Sequence, residues 1–166
     1  MLRIAVLAGV FDPIHLGHLN FIERIITETS LHKVYLLVEK APKHKPVFAS
    51  FDDRLKMIEL AIEGNPNIEI YDCDAENYPI SHAMPEIKKS HPSSQIYLLT
   101  GYDVAEHIRS WSGAKDLLKN VEIIVANRDD GITSGKIRQA ITKSKSALGL
   151  APAVQKYIIT HGLYIP

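Results

Sequence analysis

Two histidines lie where a short apolar segment gives way to a helical pattern. His15 and His18 occur in "LAGVFDPIHLGHLNF", residues 7–21. Side chains three residues apart on a helix face the same way, and the first turn of a helix offers N–H groups and partial positive charge. Two imidazoles there can donate hydrogen bonds to charge that develops on phosphate oxygens. This arrangement predicts a cradle for a phosphate chain, in which Gly9 allows a tight turn and Gly17 allows close approach of a flat ligand.

Three other interpretations of the two histidines stay open on spacing alone. They could be solvent-exposed, which is the usual position of a lone histidine. They could be two zinc ligands, although neither a cysteine nor a further histidine lies near them in the sequence to complete a set. They could also be buried core residues, at the cost of placing two polar rings beside a turn.

Apolar patterns typical of strands and of helices alternate along the chain. The predicted strands cover residues 2–8, 33–38, 68–74, 95–103 and 121–128; helical patterns cover 16–27, 51–63, 83–89 and parts of 104–118, and two more begin at 134 and 151. Ser50 is predicted to cap the second helix, with Asp53 three residues later, and residues 76–82 are predicted to form a loop. The alternation predicts a Rossmann-like α/β fold, a doubly wound parallel sheet with helices on both faces.

The carboxyl ends of parallel strands are where such sheets bind ligands. The predicted topology brings four segments to that edge: residues 9–18, the loop after Val38, residues 101–103 and residues 128–138. These segments also hold the most unusual side-chain chemistry of the sequence. We therefore expect a single site at this edge.

Composition limits the class of protein. The chain has 166 residues, the size of one domain, which we expect to span residues 1–166. Lys plus Arg and Asp plus Glu number 19 each, so no global field draws the chain to nucleic acid or to an anionic membrane. The single cysteine suits a reducing compartment, and no apolar run approaches the roughly 18 residues of a membrane span. We expect a cytoplasmic protein with no nucleic-acid or membrane partner; a homo-oligomer is compatible with the sequence.

Two segments resemble motifs of the nucleotidyltransferase superfamily. "GVFDPIHLGH" resembles the signature (T/V)FDPxHxGH, and "GITSGKIRQAI" is similar to the late motif ISSTxIR. The resemblance implies that a triphosphate is contacted by His15, His18, Ser134, Lys136 and Arg138. It also implies nucleotide-binding roles for Gly9, Val10, Phe11, Gly17 and Gly101. Gly135 departs from the motif, because threonine stands there in the family and one hydroxyl contact is absent here.

Within that superfamily, the chain most resembles the bacterial nicotinate mononucleotide adenylyltransferases. The similar segments are "KHKPVFASFDDRLKMIELAI", "YLLTGYDVAEHIRSW" and "LAPAVQKYIITHGLY". This resemblance implies that Lys45 reaches the phosphates, that Asp103 hydrogen-bonds a ribose hydroxyl, and that Trp111 stacks on the pyridine ring, with Tyr78 also in the substrate site. Each of the first three has a plainer alternative: a solvated charge, a helix cap and a core aromatic.

The implied activity is adenylyl transfer from ATP to nicotinate or nicotinamide mononucleotide, with Mg²⁺ bound mainly through the ATP phosphates. Two departures bear on the acceptor: "NYPIS" stands in place of SYTxxT, with Pro79 lacking a backbone N–H, and the chain before Thr133 is short. Two alternatives therefore remain. One is adenylyl or cytidylyl transfer to another phosphorylated acceptor, such as phosphopantetheine. The other is a nucleotide-binding protein without catalysis.

Overall fold

Five parallel strands form one sheet in the computed structural model, which describes residues 1–43, 45–73, 79–111, 113–127, 131–144 and 148–165. The sheet order is β3-β2-β1-β4-β5. The strands are β1 (Arg3–Gly9), β2 (Lys33–Val38), β3 (Ile68–Ile70), β4 (Gln95–Gly101) and β5 (Glu122–Ala126). Every neighbouring pair is parallel, which confirms the predicted Rossmann-like sheet. The strand order reverses beside β1, so a crevice opens between the ends of β1 and β4.

Helices cover both faces of this sheet. They are α1 (Leu16–Thr29), α2 (Phe51–Ile62), α3 (Pro79–Ser90), α4 (Tyr102–Ala105), α5 (Ala114–Asn120), α6 (Ser134–Ser144) and α7 (Pro152–Thr160), with a 3₁₀ turn at Ile108–Ser110. Ala5 and Leu7 of β1 pack in one hydrophobic cluster with α1, α2, α6 and α7, whereas Ile4 and Val6 pack in a second with α3 and α5. The continuous apolar run of β1 is explained by this burial on two sides.

The main difference from the prediction lies at the third helix. It begins at Pro79 rather than at Ala83, so the predicted loop was wrong for residues 79–82. Proline suits the first position of a helix, where its missing N–H has no intrahelical partner to lose. The third strand is also shorter than predicted, because only Ile68–Ile70 pair with β2.

The predicted cap of α2 is confirmed. The Asp53 backbone N–H donates to Ser50 Oγ at 3.1 Å, and Ser50 Oγ donates to Asp53 Oδ2 at 2.6 Å. The hydroxyl of Tyr157, on α7, donates to Asp53 Oδ1 at 2.9 Å. The Ser50 hydrogen bond, more than that from Tyr157, lowers the pKa of the Asp53 carboxyl below its ordinary value. The cap therefore fixes the start of the helix that carries Arg54 beneath the site.

Ser50→Ala should lower the free energy of unfolding by about 1 kcal/mol near neutral pH, because the cap is lost. The pKa of Asp53 is lowered on folding, so its contribution is present above the unfolded pKa of about 4 and is lost as pH falls through the folded pKa. Urea unfolding at pH 7 and pH 3 should show the cost shrinking at pH 3. Ser90→Ala, which removes an exposed hydroxyl on α3, is the control. A cost that is the same at both pH values would contradict the role of the carboxylate.

Candidate functional site

A cavity of about 1300 Å³ lies at the carboxyl edge of the sheet, where β1 and β4 diverge. Its lining consists of residues 7–12, 15, 17, 18, 39, 42, 43, 45, 46, 80, 81, 102–104, 107, 110, 111, 117, 127, 131–135 and 138. The cavity is larger than the 300–1,000 Å³ typical of small-ligand sites. It therefore has room for two ligands side by side. Each of the four segments predicted to meet at this edge contributes lining residues, and residues 128–130 of the last segment lie outside the described residues.

The two histidines form a stacked pair at the beginning of α1. The ring centroids of His15 and His18 lie 3.7 Å apart with an interplanar angle of 29°. The His15 backbone N–H donates to Nδ1 of His18 at 3.3 Å. Since Nδ1 accepts this bond, the neutral His18 ring carries its proton on Nε2. Phe11 contacts the ring of His18 edge-on, with centroids 5.1 Å apart, so the tautomer and the orientation of His18 are both fixed.

Gly9 makes room for Phe11 rather than allowing a tight turn. A Cβ on Gly9 would lie 3.0 Å from Cζ of the Phe11 ring. The left-handed backbone expected of a turn occurs instead at Phe11, with φ of 51°. Gly17 is buried in the first turn of α1, and like Gly9, Val10 and Phe11 it lines the cavity. Close approach, not backbone freedom, is therefore the reason for Gly9.

The carboxylate of Asp12 joins the turn between β1 and α1 (residues 10–15, the histidine turn) to residues 45–49 (the lysine segment). Oδ2 accepts a hydrogen bond from the Phe48 N–H at 2.7 Å, and Oδ1 accepts one from the Ala49 N–H at 3.2 Å. Oδ1 also accepts a hydrogen bond from the Tyr164 hydroxyl at 2.6 Å. Asp12 is 4% exposed, so these bonds form away from bulk water.

Arg54 also bonds to the histidine turn and connects it to the loop after β2. Its guanidinium donates to the Val10 and Glu39 carbonyls, each at 2.8 Å, and to the Lys40 carbonyl at 2.9 Å. Arg54 is 1% exposed, and burial lowers the pKa of its guanidinium against the opposing effect of the Asp12 carboxylate. The histidine turn and the loop after β2 therefore share one buried cation.

The first turn of α6 lines the cavity and bonds to the histidine turn. Arg138 donates to the Asp12 carbonyl at 2.5 Å, and its Cζ lies 4.2 Å from the centroid of the Phe48 ring. The Ser134 hydroxyl donates to the Pro13 carbonyl at 3.0 Å. Ser134 and Arg138 line the cavity together with Lys45, His15 and His18. Both motifs therefore meet at one place.

Two residues with predicted roles lie apart from this group. Lys136 does not line the cavity, because its Nζ turns back and donates to the Gly131 carbonyl at 3.0 Å. Gly101 caps α4 and also lies outside the lining. By contrast, Gly135 does line the cavity, and a Cβ added there meets only Arg138 Nη2, at 4.0 Å.

The cavity is also lined by Asp103, His107 and Trp111, and by Ile80 and Ser81 of α3. Asp103 lies in the first turn of α4, after the cap at Gly101. Trp111 packs against the second hydrophobic cluster, as the core interpretation expects, and it also lines the cavity. Its stacking on a pyridine ring stays a prediction. Tyr78, predicted to contact substrate, lies outside the described residues.

Sequence reasoning missed four residues of this site. Asp12 and Tyr164 stood within quoted motifs, but no pattern showed that they contact each other. Arg54 carried a usable signal, since it shares one helix face with the buried Met57 and Ile58. His107, a lining residue, is exposed and gave no signal.

Within the part of the chain that the structure describes, no group of three or more histidine, cysteine, aspartate or glutamate residues is placed to hold a metal ion. No helix among the described residues combines the length and the apolar character needed to cross a bilayer.

Known proteins match the chain over nearly its whole length. A model of the family described as cytidylyltransferase-like matches residues 6–159. The probable nicotinate-nucleotide adenylyltransferase of Borrelia garinii subsp. bavariensis is 29% identical, over 99% of this chain and 95% of the relative. The one from Bacillus pumilus is 29% identical over 99% of each chain. The structure of Plasmodium falciparum nicotinic acid mononucleotide adenylyltransferase complexed with NaAD has a TM-score of 0.79 at 20% identity, covering 99% of this chain and 98% of that one.

Arg54→Met should lower the free energy of unfolding by about 2–4 kcal/mol, because three carbonyls lose a shared charged donor. Urea unfolding at pH 7 measures this cost. Lys56→Met is the matched control on the same helix, since Lys56 is exposed and pairs only with Glu59 at 2.9 Å within the described residues. Its cost should stay within about 0.5 kcal/mol. Equal costs for the two variants would contradict the assigned role of Arg54.

Proposed function

Because the chain belongs to the cytidylyltransferase-like family, we propose that it transfers the adenylyl group of ATP to nicotinate mononucleotide, releasing a dinucleotide and pyrophosphate for NAD biosynthesis. The observation that carries this proposal is the stacked pair of His15 and His18, in one cavity with Lys45 and Arg138. Two rings at a helix start, facing a lysine and an arginine, suit a polyphosphate chain. The names of the matched relatives support the acceptor.

The chemistry needs no general base. The 5′-phosphate of a mononucleotide is already an anionic nucleophile at neutral pH. Its oxygen forms a bond to the α-phosphorus of ATP, while the bond from that phosphorus to the bridging oxygen breaks and its electron pair leaves with pyrophosphate. The protein then contributes positioning and charge stabilisation, and no covalent enzyme intermediate is expected.

We assign a role to each residue at the end of the cavity where the two histidines lie, which we call the phosphate end. His18 donates from Nε2 to the α-phosphate, because Nδ1 already accepts the His15 N–H. His15 contacts the neighbouring phosphate oxygens from its stacked position. Lys45 and Arg138 stabilise the pyrophosphate leaving group. The Ser134 hydroxyl donates to Pro13, so this residue holds the histidine turn against α6 and offers its helix N-terminus to phosphate.

The opposite end of the cavity suits the mononucleotide. Asp103 accepts from a ribose hydroxyl, and Trp111 stacks on the pyridine ring; both line the cavity. We keep Tyr78 as a candidate for this end and Gly101 as a helix start beside it. Nicotinamide mononucleotide remains the second pyridine acceptor, since Pro79 begins α3 at this end and provides no N–H.

Mg²⁺ enters with ATP as part of the substrate. The described residues provide no cluster suited to holding a cation by themselves, and the Asp12 carboxylate is already bonded to two backbone N–H groups and a tyrosine. We further propose that residues 1–166 act as one domain and that the protein works in the cytoplasm, in keeping with its single cysteine and its use of ATP.

Two alternatives have specific observations in their favour. Transfer to a different phosphorylated acceptor is favoured by the departure at "NYPIS". Nucleotide binding without catalysis is favoured by Gly135, where a family hydroxyl is missing. The intact group of His15, His18 and Arg138 favours catalysis over binding alone.

Pyrophosphate release with Mg-ATP and each of nicotinate mononucleotide, nicotinamide mononucleotide and phosphopantetheine tests this function. The parent should turn over fastest with nicotinate mononucleotide. His18→Ala should lower kcat by about 10²-fold or more, because one donor to the reacting phosphate is removed. His82→Ala is the control, since His82 is exposed on α3 and does not line the cavity. Turnover with none of the three acceptors, or a His18→Ala variant that keeps most of its kcat, would contradict the proposal.

Gly135→Thr should lower the KM for Mg-ATP by about two- to fivefold, equivalent to one modest hydrogen bond. The position has room for the side chain, since an added Cβ meets nothing closer than 4.0 Å. Gly135→Val has nearly the same shape without the hydroxyl and should leave the KM unchanged. Steady-state kinetics at saturating acceptor separates the two variants. Equal values for threonine and valine would show that no hydroxyl contact is available there.

A further inference from the structure

We propose that Tyr164, near the end of the chain, is a positioning residue that holds the lysine segment over the phosphate end of the cavity by way of Asp12. Its effect on ATP rests on the proposed function, but its effect on the lysine segment does not. Tyr164 itself does not line the cavity. It acts through a carboxylate that belongs to the histidine turn.

The path from Tyr164 to the lysine segment contains two short hydrogen bonds. The Tyr164 hydroxyl donates to Asp12 Oδ1 at 2.6 Å, and Asp12 Oδ2 accepts from the Phe48 N–H at 2.7 Å. The Ala49 N–H also donates to Oδ1, at the longer distance of 3.2 Å. Lys45, which lines the cavity, lies three residues before Phe48. The hydrogen bonds from Tyr164 to this segment therefore run through the Asp12 carboxylate.

Tyr164 is itself held in place. Its carbonyl accepts from Thr142 Oγ1 at 3.0 Å, which ties it to α6, and the Leu163 N–H donates to the Ile158 carbonyl at 3.0 Å, which ties it to α7. Burial raises the pKa of the Tyr164 hydroxyl above its ordinary value, with a further contribution from Asp12. The hydroxyl therefore stays protonated and donates throughout the working pH range.

Removal of this hydroxyl should loosen the carboxylate rather than unfold the protein. Without it, Oδ1 keeps only the longer bond to Ala49, so the Asp12 side chain is no longer held by a charge-assisted bond from the opposite side. The Phe48 amide then loses a fixed acceptor. The guanidinium of Arg138 packs on the ring of Phe48, with Cζ 4.2 Å from the ring centroid. Movement of Phe48 would therefore also displace Arg138.

The chain contains a matched control for this bond. The hydroxyl of Tyr157 also donates to an aspartate carboxylate, Oδ1 of Asp53, at 2.9 Å. Both tyrosines lie in the last part of the chain, but Asp53 belongs to the cap of α2 and not to the cavity lining. Tyr157→Phe therefore removes the same chemical bond without touching the lysine segment.

Tyr164→Phe should raise the KM for Mg-ATP by roughly tenfold, with the KM for the acceptor unchanged within about twofold. Trypsin should cut the loop before the lysine segment, after the exposed Lys43, several-fold faster than in the parent; Pro46 protects the bond after Lys45. A non-hydrolysable ATP analogue should slow this cleavage. Tyr157→Phe should lower the Tm by about as much as Tyr164→Phe does. It should change neither the KM for Mg-ATP nor the rate of tryptic cleavage.

The proposal would be overturned if Tyr164→Phe left both the cleavage rate and the KM for Mg-ATP unchanged. It would also be overturned if Tyr157→Phe changed both quantities as much as Tyr164→Phe, because that result would indicate a general loss of stability. If the parent turns over with no acceptor, the proposed function fails. The cleavage rate and the equilibrium binding of the ATP analogue still decide the role of Tyr164, because neither measurement needs an acceptor.

Discussion

The hydrogen bonds of one buried aspartate organise the end of the cavity where the two histidines lie. Asp12 uses its carboxylate to bind the lysine segment and Tyr164, and uses its carbonyl to accept from Arg138. Burial of a carboxylate that is only 4% exposed costs free energy unless hydrogen bonds compensate for the lost water. The donors to Asp12 therefore stabilise the buried carboxylate together. Segments that lie far apart in the sequence are joined here by one side chain.

The buried guanidinium of Arg54 complements this arrangement. Asp12 collects backbone N–H donors, whereas Arg54 collects backbone carbonyls, from Val10, Glu39 and Lys40. Loops at the ends of parallel strands have few regular partners for such groups. The side chains of Asp12 and Arg54 provide these partners. The loops that line the cavity are therefore ordered before any ligand binds. The cap at Ser50 then matters to the site, because it begins the helix on which Arg54 is carried.

The sheet and its helices could be predicted because their signals are local. A buried apolar run, helical spacing after His15 and a serine followed by Asp53 each describe a neighbourhood of a few residues, and β2 (Lys33–Val38) has the predicted bounds. The third helix begins before its predicted start, at Pro79, because proline occurs at the first position of helices as well as in loops. The part of the site that escaped prediction consists of contacts between distant segments. The hydrogen bond between Tyr164 and Asp12, and those from Arg54 to Val10 and Glu39, depend on packing that no local pattern encodes.

The contact between Asp12 and Tyr164 also has a consequence for how the protein is made. These two residues are separated by 152 positions, and the bonds from α6 to the histidine turn span 121 and 126 positions. A chain that emerges from the ribosome with its N-terminus first can form β1, α1 and β2 early. The contacts around Asp12 stay incomplete until α6 and then Tyr164 have been synthesised. A nascent chain therefore carries the histidine turn through the synthesis of 152 further positions before the Tyr164 hydroxyl can reach Asp12.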